Sequence, residues 1–398
     1  RQAMNTPCYL SRPGLISALG LGIDTTRTGL MAGDSSGMVL EDAWLPTAPA
    51  RVGRVSATLP EIPTGAGRSA HSRNNRMLLA ALEQIADEVD ACIRRYGPHR
   101  VAVVLGTSTS GVAEGEAALA THANTGQFPP EFDYGQMEIG APAPFLAEHL
   151  GILGPAYTVS TACTSGAKAL ASARNLLATG LVDAVIAGGV DTLCRLTING
   201  FTALESTSTA LTNPLSRNRC GINIGEGAAL FIVTRDSGPV ALLGVGESSD
   251  AHHMSAPEPE GRGAEAAMRA ALAEAGLPPG AVGYINLHAT ATPKNDAMES
   301  LAVQRVFPDG VAVSGTKPLT GHTLGAAGAI EAAFCWLTLT GDDRLPPHRW
   351  DGEADPELPR LQVTDDDSRF ASGKPAICMS NSFAFGGNNI SLIFGRGQ

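Results

Sequence analysis

A cysteine set among small residues is the first feature of this sequence that could do chemistry. It is Cys163, in the stretch Ser160–Leu170, which reads STACTSGAKAL. The β-branched run 156–160 before it is typical of a short buried strand, and Ala167 and Leu170 after it recur at helical spacing. Because the first turn of a helix presents unpaired N–H groups and a positive dipole end, a thiol at this corner is predicted to ionise more readily than a free cysteine. The alternative is an inert buried thiol, the commoner role of a free cysteine.

Two histidines follow apolar runs in the last third of the chain. His288 lies in LHATATPKND (287–296), and His322 lies in SGTKPLTGHTLGAAGAIEA (314–332). Strand ends of this kind are where α/β sheets bind their ligands. Each histidine alone is more often a satisfied structural residue. Beside the thiol of Cys163, however, two neutral imidazoles could donate hydrogen bonds to a carbonyl or carboxylate, or transfer protons.

Charge is sparse around His322. Lys317 and Glu331 are predicted to form an ion pair in a stretch that otherwise carries no charge. The alternative is a solvated surface pair that contributes little to stability. A further stretch, NSFAFGGNN (381–389), has two glycines after Phe385. These glycines allow a sharp turn whose N–H groups could hold an oxyanion, although a plain tight turn is their commoner use.

The elements that must position these residues alternate between short apolar runs and amphipathic segments, which favours an α/β fold with a buried sheet. The predicted strands lie near Val101–Leu105, Ala156–Ser160, Ala184–Ala187, Ala241–Ser248, Val282–Leu287, Val311–Val313 and Ile377–Ser380. The predicted helices lie near Met77–Arg95, Ala141–Leu150, Ser165–Ala178, Gly263–Ala275, Ala297–Phe307 and Leu324–Leu339.

The strands and helices fall into two similar sets. The segments 103–109 and 285–292 resemble each other, and the corner 160–163 has a counterpart at 314–317. We interpret this as a duplicated α/β unit with halves at 12–240 and 241–398. Repeats this weak also arise by chance in chains rich in Ala and Gly.

Composition excludes several classes of protein. A chain of 398 residues with 43% hydrophobic content can bury a large core, and its formal charge of −11 disfavours nucleic acid or an anionic membrane as a partner. Seven cysteines at irregular spacing form neither a disulfide framework nor a metal motif, so a reducing, cytoplasmic setting is expected. No apolar stretch reaches the ~18 residues of a membrane span.

Four motifs in this order, TACTSG, HxTxTPxxD, KxxTGHxxGAAGxxE and NSFxFGG, resemble the beta-ketoacyl-[acyl-carrier-protein] synthase family, the elongating condensing enzymes of fatty acid and polyketide synthesis. The similarity runs from Gly14–Gly20 to 381–394. It implies the thiolase fold, a five-layered αβαβα arrangement of two similar α/β halves. It also implies a nucleophilic Cys163, with His288 and His322 assisting the decarboxylation of malonyl thioester, and Lys317 and Glu331 as the supporting pair.

The resemblance assigns further residues around the nucleophile. The oxyanion is expected to bind the backbone N–H groups of Cys163 and Phe385, and Phe385 and Phe383 match the gating loop. Hydroxyl groups suit the amides of a phosphopantetheine arm, and the matching positions are Thr290, Thr292 and Ser255.

The implied partner is an acyl carrier protein, which is acidic. Arg73 and Arg76 are candidates for docking it, although an ordinary solvated helix face is an equal or better interpretation. The family usually forms homodimers, and a heterodimer with a ketosynthase-like subunit is also open. No metal or redox cofactor is expected, only the phosphopantetheine arm of the carrier protein.

The sequence departs from the family pattern near the substrate. Ile222 replaces a phenylalanine that usually faces the active site, and Thr109 lies in a polar stretch that replaces a more apolar one. Such a polar pocket suits unsaturated or oxygenated chains, so we expect a specialised polyene or polyketide synthase. The alternative is a non-catalytic or chain-length-determining subunit of a heterodimer, which the presence of Cys163, His288 and His322 disfavours.

Overall fold

Short apolar runs form strands and amphipathic segments form helices in the first half of the chain, as their periodicity predicts. The structure is a computed structural model that describes residues 7–397. The strands of this half are β1 (Cys8–Leu10), β2 (Gly14–Ser17), β3 (Gly20–Leu21), β4 (Met38–Glu41), β5 (Ala50–Gly53), β6 (Val101–Gly106), β7 (Ala156–Val159), β8 (Ala184–Asp191), β9 (Ile224–Gly225) and β10 (Gly227–Thr234). The helices are α1 (Ile23–Ala32), α2 (Arg73–Leu82), α3 (Ala86–Tyr96), α4 (Val112–Thr125), α5 (Pro142–Leu150), α6 (Ser165–Ala178) and α7 (Arg195–Ala203).

The second half has fewer strands and helices than the first. Its strands are β11 (Val240–Ser249), β12 (Tyr284–Asn286), β13 (Ala312–Ser314), β14 (Gln362–Val363), β15 (Ile377–Phe383) and β16 (Asn388–Arg396). Its helices are α8 (Arg262–Ala275), α9 (Pro293–Val306), α10 (Lys317–Thr320) and α11 (Ala327–Leu339).

The two halves share one strand topology. In the first half, β6 lies between β7 and β8, both parallel to it, and β10 and β1 continue the sheet with antiparallel pairings. In the second half, β12 lies between β13 and β15, both parallel to it, and β16 and β11 continue with antiparallel pairings. Pairing of β1 with β11 joins the two sets. This repeat of order and direction confirms the duplicated α/β architecture.

Helices and strands alternate in five layers. The central layer is α6 and α11, which pack against each other between the two sets of strands. The outer face of the first half is covered by α2, α3 and α5, and that of the second half by α8 and α9. The central helices approach closely because small residues meet there, so that a Cβ on Gly328 would lie 2.7 Å from the Ala167 nitrogen. The predicted αβαβα arrangement is therefore present.

Some boundaries differ from the periodicity-based prediction. The single helix predicted near 77–95 is two helices, α2 and α3, separated by a 3₁₀ turn at Glu83–Ile85. Ile85 has φ −127°, outside the helical range, and its side chain is fully buried beneath the two helices. The longer elements that were not predicted are strands β10 and β16 and helices α1, α4 and α7, and several short strands were also not predicted. Within residues 7–397, no helix is long and apolar enough to cross a lipid bilayer.

Candidate active site

The turn between β7 and α6 carries Cys163, at the predicted strand-to-helix corner. Ala162 has φ +54°, a left-handed conformation that few alanines adopt, and it turns the chain sharply just before the cysteine. Ser165 closes this turn, since its Oγ accepts from the Thr161 N–H at 2.9 Å and donates to the Ala162 carbonyl at 2.6 Å. The thiol is 5% exposed. The nucleophile candidate is therefore held by a rigid, local hydrogen-bond pattern.

The structure brings Cys163 together with both predicted histidines. Nε2 of His322 lies 3.0 Å from the Cys163 sulfur. The sulfur and one ring nitrogen of each histidine all lie within 4.8 Å of one another. The two imidazole rings are nearly perpendicular, at 86°, with centroids 5.3 Å apart. A thiol from the first half and two imidazoles from the second half thus form one compact group.

His288 is held by its backbone. It follows β12, and the N–H groups of His288 and Ala289 donate to the Glu299 carboxylate at 2.8 and 2.7 Å. Glu299 lies on α9 and is fully buried, and burial raises the pKa of its carboxyl to about 7. Glu299 was not predicted from the sequence. The signal was an acid three residues after the HxTxTPxxD motif, on the helix that begins at the proline of that motif.

His322 lies in the short connection between α10 and α11. Its N–H donates to the Asn223 carbonyl at 2.7 Å, and its own carbonyl accepts from the Gly225 N–H at 2.9 Å. The backbone of His322 thus pairs with residues 223–225, an extended segment of the first half. The position of His322 therefore depends on contact between the two halves.

Burial decides the protonation of the three groups. It lowers the pKa of His288 and of His322 well below the usual range, and the charge of Lys317 lowers both further. The prediction of two neutral imidazoles agrees with this. Burial also raises the pKa of the Cys163 thiol to about 12, with Lys317 opposing. The direction of this shift is opposite to the readily ionised thiol predicted from the sequence, because loss of water outweighs the charge of Lys317.

Lys317 and Glu331 form a buried ion pair, not a surface one. Nζ of Lys317 lies 2.5 Å from Oε1 of Glu331, and the two side chains are 2% and 4% exposed. Burial raises the pKa of Glu331, and Lys317 opposes this. The lysine charge thus acts on Cys163, His288 and His322 from within the core.

A cavity of about 370 Å³ connects the three groups to the surface. Six residues predicted for substrate contact or gating line it, namely Thr290, Thr292, Ser255, Ile222, Phe383 and Phe385. The hydroxyl oxygens of Thr290 and Thr292 are 3.0 Å apart. The lining of the cavity therefore combines hydroxyl groups with aromatic and aliphatic side chains.

Two aromatic pairs border the cavity beside the glycine turn. The rings of Phe385 and Phe201 have centroids 5.3 Å apart, and those of Phe383 and His288 are 6.1 Å apart. Gly386 and Gly387 both have positive φ, +81° and +77°, which confirms the sharp turn. Phe201 was missed because it lies on α7, a helix that the sequence analysis did not predict.

Three predicted residues have other environments. Thr109 is 1% exposed and its hydroxyl donates to Asp191 at 2.8 Å, so it is directed away from the cavity. Arg73 donates to Glu226, whose fully buried carboxylate requires a cation. Arg76 donates to backbone carbonyls and to Glu61. The structure therefore does not favour either arginine as a free docking residue.

Metal binding at the reactive group also has to be considered. Among residues 7–397, Cys163, His288 and His322 are the group whose ligand atoms lie close enough to share an ion. Thiolate and imidazole are ligands that Zn²⁺ prefers. The charge of nearby Lys317 opposes a divalent cation, however. The group suits proton transfer better than metal binding.

Comparison with known proteins agrees with this geometry. Residues 62–238 match the family described as "Beta-ketoacyl synthase, N-terminal domain", and residues 240–349 match "Beta-ketoacyl synthase, C-terminal domain". The chain is 31% identical over 340 residues to a protein named 3-oxoacyl-[acyl-carrier-protein] synthase 2 from Synechocystis sp., and the match covers 80% of each chain.

Solved structures are similar over the full length. One chain from "Ketosynthase (ApeO) in Complex with its Chain Length Factor (ApeC) from Xenorhabdus doucetiae" superposes with a TM-score of 0.93 at 48% identity, covering 100% of this chain and 99% of that one. A chain described as "The ishigamide ketosynthase/chain length factor" superposes with a TM-score of 0.86 at 27% identity, covering 98% and 99%.

Proposed function

The chain belongs to the beta-ketoacyl synthase family, and from that premise we propose that it catalyses a decarboxylative condensation. An acyl chain held as a thioester on Cys163 is extended by two carbons from malonyl thioester, and an acyl carrier protein delivers both substrates. The observation that carries this proposal is the group of Cys163, His288 and His322, with reactive atoms within 4.8 Å of one another beside a cavity open to the surface.

The first step is acylation of the cysteine. The Cys163 sulfur attacks the acyl thioester, and its proton passes to Nε2 of His322, 3.0 Å away. The bond to the pantetheine sulfur breaks, and that sulfur leaves with the proton returned by His322. The backbone N–H groups of Cys163 and Phe385 are the proposed donors to the tetrahedral oxyanion, in a role that contributes about 3 kcal/mol for each donor. Because burial raises the pKa of the Cys163 thiol, we expect proton transfer and attack to occur together.

The second step forms the carbon–carbon bond. Malonyl thioester loses CO₂, and the bonding pair becomes an enolate. Neutral His288 donates an N–H group to the enolate oxygen, and so does His322 in the tautomer that carries its single proton on Nε2, the nitrogen facing the Cys163 sulfur. The lowered pKa values of both rings support this neutral state. The carbanion attacks the thioester carbonyl, the bond to Cys163 breaks, and the cysteine leaves as a thiolate that takes up a proton.

Mass spectrometry of the enzyme after incubation with acyl and malonyl carrier proteins tests this proposal. We expect the wild type to gain the acyl mass on the peptide that contains Cys163 and to release CO₂. Cys163→Ala should gain no acyl mass, and His288→Ala should release CO₂ about 100-fold more slowly. Acyl transfer to Cys163→Ala, or no transfer to the wild type, would contradict the proposal.

We further propose that the acyl chain is a polyene or polyketide. In support, Ile222 lines the cavity where the family usually has a larger aromatic residue. Thr109 no longer supports this argument, because it contacts Asp191. The enzyme should turn over a polyene acyl carrier protein faster than a saturated one of equal chain length. Equal turnover would contradict this substrate.

The proposed partner is a subunit of the chain-length-factor type, as in the complex from Xenorhabdus doucetiae. In support, β7 ends the sheet path and its residues are only half-buried, so its free edge can pair with another chain. Large apolar side chains are exposed nearby in the sequence, at Phe128, Tyr134, Ile139 and Leu153. Native mass spectrometry after co-expression should show a heterodimer. A homodimer that condenses substrates alone would contradict this pairing.

A further inference from the structure

We propose that Asp191 is a positioning residue that holds the turn following His322 against the loop 107–109 and so keeps the imidazole at the Cys163 sulfur. The inference rests on the proposed function, because it concerns the proton transfer between these two groups. Asp191 touches neither the thiol nor the cavity lining. It acts through the backbone.

Asp191 ends β8 and is fully buried. Its carboxylate accepts from the Thr107 hydroxyl at 2.6 Å, from the Thr109 hydroxyl at 2.8 Å, and from the N–H groups of Ser108 and Thr109 at 2.8 Å each. It forms no salt bridge among the described residues. A buried charge without a cation depends on such donors, so the carboxylate and the loop hold each other in place.

The same carboxylate reaches the second half of the chain. Its Oδ2 accepts from the Gly325 N–H at 2.5 Å, and Gly325 lies three residues after His322. The approach requires glycine, because a Cβ there would lie 2.7 Å from the Ser108 nitrogen and 2.8 Å from Oδ2 of Asp191. Leu324, between them, has φ +53°. The turn is therefore strained, and the hydrogen bond from Gly325 to Asp191 helps to hold it in place.

The loop 107–109 also contacts the nucleophile turn. The Ser108 hydroxyl donates to the Ala162 carbonyl at 3.4 Å, directly before Cys163. Asp191 thus lies at the centre of a network that joins the turn bearing the thiol to the turn that follows the imidazole. If the network is broken, we expect the 3.0 Å contact between sulfur and Nε2 to lengthen.

A double-mutant cycle on thiol reactivity tests this role without any carrier substrate. The probe is iodoacetamide, and the measurement is the alkylation rate of the Cys163 peptide, with the exposed Cys220 as an internal reference. In the wild type, His322→Ala should slow alkylation about tenfold, because the proton acceptor is lost. In Asp191→Asn, the same substitution should change the rate by less than about twofold, because the imidazole is already displaced.

The cycle compares ratios because Asp191→Asn also removes a negative charge that raises the pKa of Cys163. Gly325→Ala is the second variant, and it displaces the turn without changing charge. Asp183→Asn, just before the opposite end of β8, is the matched control and should keep the full His322 effect. A full tenfold effect in both Asp191→Asn and Gly325→Ala would overturn the proposal.

The outcomes also separate this inference from the proposed function. If the wild type condenses malonyl thioester while the His322 effect is unchanged in both variants, the positioning role fails and the function stands. If the His322 effect disappears in the variants but the wild type condenses nothing, the function fails and the positioning role stands. Circular dichroism should show native secondary structure in each variant used.

Discussion

Two buried carboxylates, one in each half, hold the loops that follow the central strands β6 and β12. Asp191 accepts from the loop 107–109, and Glu299 accepts from His288 and Ala289. The partners of Glu299 all lie within its own half, whereas Asp191 also accepts from Gly325 in the other half. Glu299 therefore orients one imidazole locally, and Asp191 ties together the two halves whose junction forms the site.

Each half also has a lysine at or soon after its strand-to-helix corner, 160–163 or 314–317. Lys317 pairs with Glu331 inside the core at 2% and 4% exposure, whereas Lys168 pairs with Glu247 at 19% and 43% exposure. Lys317→Met should lower the free energy of unfolding by about 3–5 kcal/mol, because it leaves a buried carboxylate without its cation. Lys168→Met should lower it by about 1 kcal/mol or less. Urea titrations measure both, and equal losses would show that burial does not distinguish the pairs.

Glu299→Gln should affect decarboxylation but not the reactivity of Cys163, and this distinguishes Glu299 from Asp191. It weakens acceptors for the N–H groups of His288, so decarboxylation should fall about tenfold to 100-fold, an effect typical of a misplaced acid–base group. The rate at which iodoacetamide alkylates Cys163 should stay at the wild-type value in Glu299→Gln, whereas Asp191→Asn should change it.

The pH dependence sharpens the Glu299 prediction. Burial raises the folded-state pKa of Glu299 to about 7, so its carboxylate becomes protonated as the pH falls below that value. Decarboxylation by the wild type should therefore fall below pH about 7, while Glu299→Gln should stay low and flat. A parallel pH profile in the two proteins would contradict the role of Glu299.

A third buried histidine, His348, predicts how the stability of the second half depends on pH. Nδ1 of His348 accepts from the Gly315 N–H and its Nε2–H donates to the Pro214 carbonyl, each at 3.0 Å, and burial lowers its pKa to about 4. A lowered folded-state pKa gives stability that is complete above about pH 6.5 and is lost as the pH falls toward 4. The stability difference between wild type and His348→Gln should therefore shrink by about 2 kcal/mol from pH 7 to pH 5. Thermal melts at both pH values measure it, and a constant difference would contradict the buried neutral state.

The smallest expected effects concern two threonines, Thr109 in the loop after β6 and Thr290 in the loop after β12. Thr109→Val removes a hydroxyl donor from Asp191 and an acceptor for the Thr192 N–H, so it should cost about 1–2 kcal/mol of stability and leave KM unchanged. Thr290→Val, in the cavity wall, should raise KM and change stability little. Thermal melts and substrate titrations distinguish the two, and the reverse pattern would place Thr109 in the substrate path.

Much of this architecture could be predicted from local sequence. Apolar runs and helical spacing located β6, β8, β11, α6 and α11, because these elements are buried and strongly periodic. The motifs around Cys163, His288 and His322 predicted a common site. The break at Ile85 could not be predicted, since the packing of α2 and α3 on the sheet overrides a continuous helical pattern.

The sequence by itself determined the types of reactive group, the corner that carries the thiol and the two glycines that permit the sharp turn after Phe385. Only the tertiary structure decided the protonation of the thiol, the direction of Thr109 and the assignment of Arg73 to a buried acid. The physical reason is that a pKa and a hydrogen-bond partner depend on which distant segments exclude water from a group. Spacing along the chain cannot show that Asp191 and Gly325, separated by 134 positions, share a hydrogen bond.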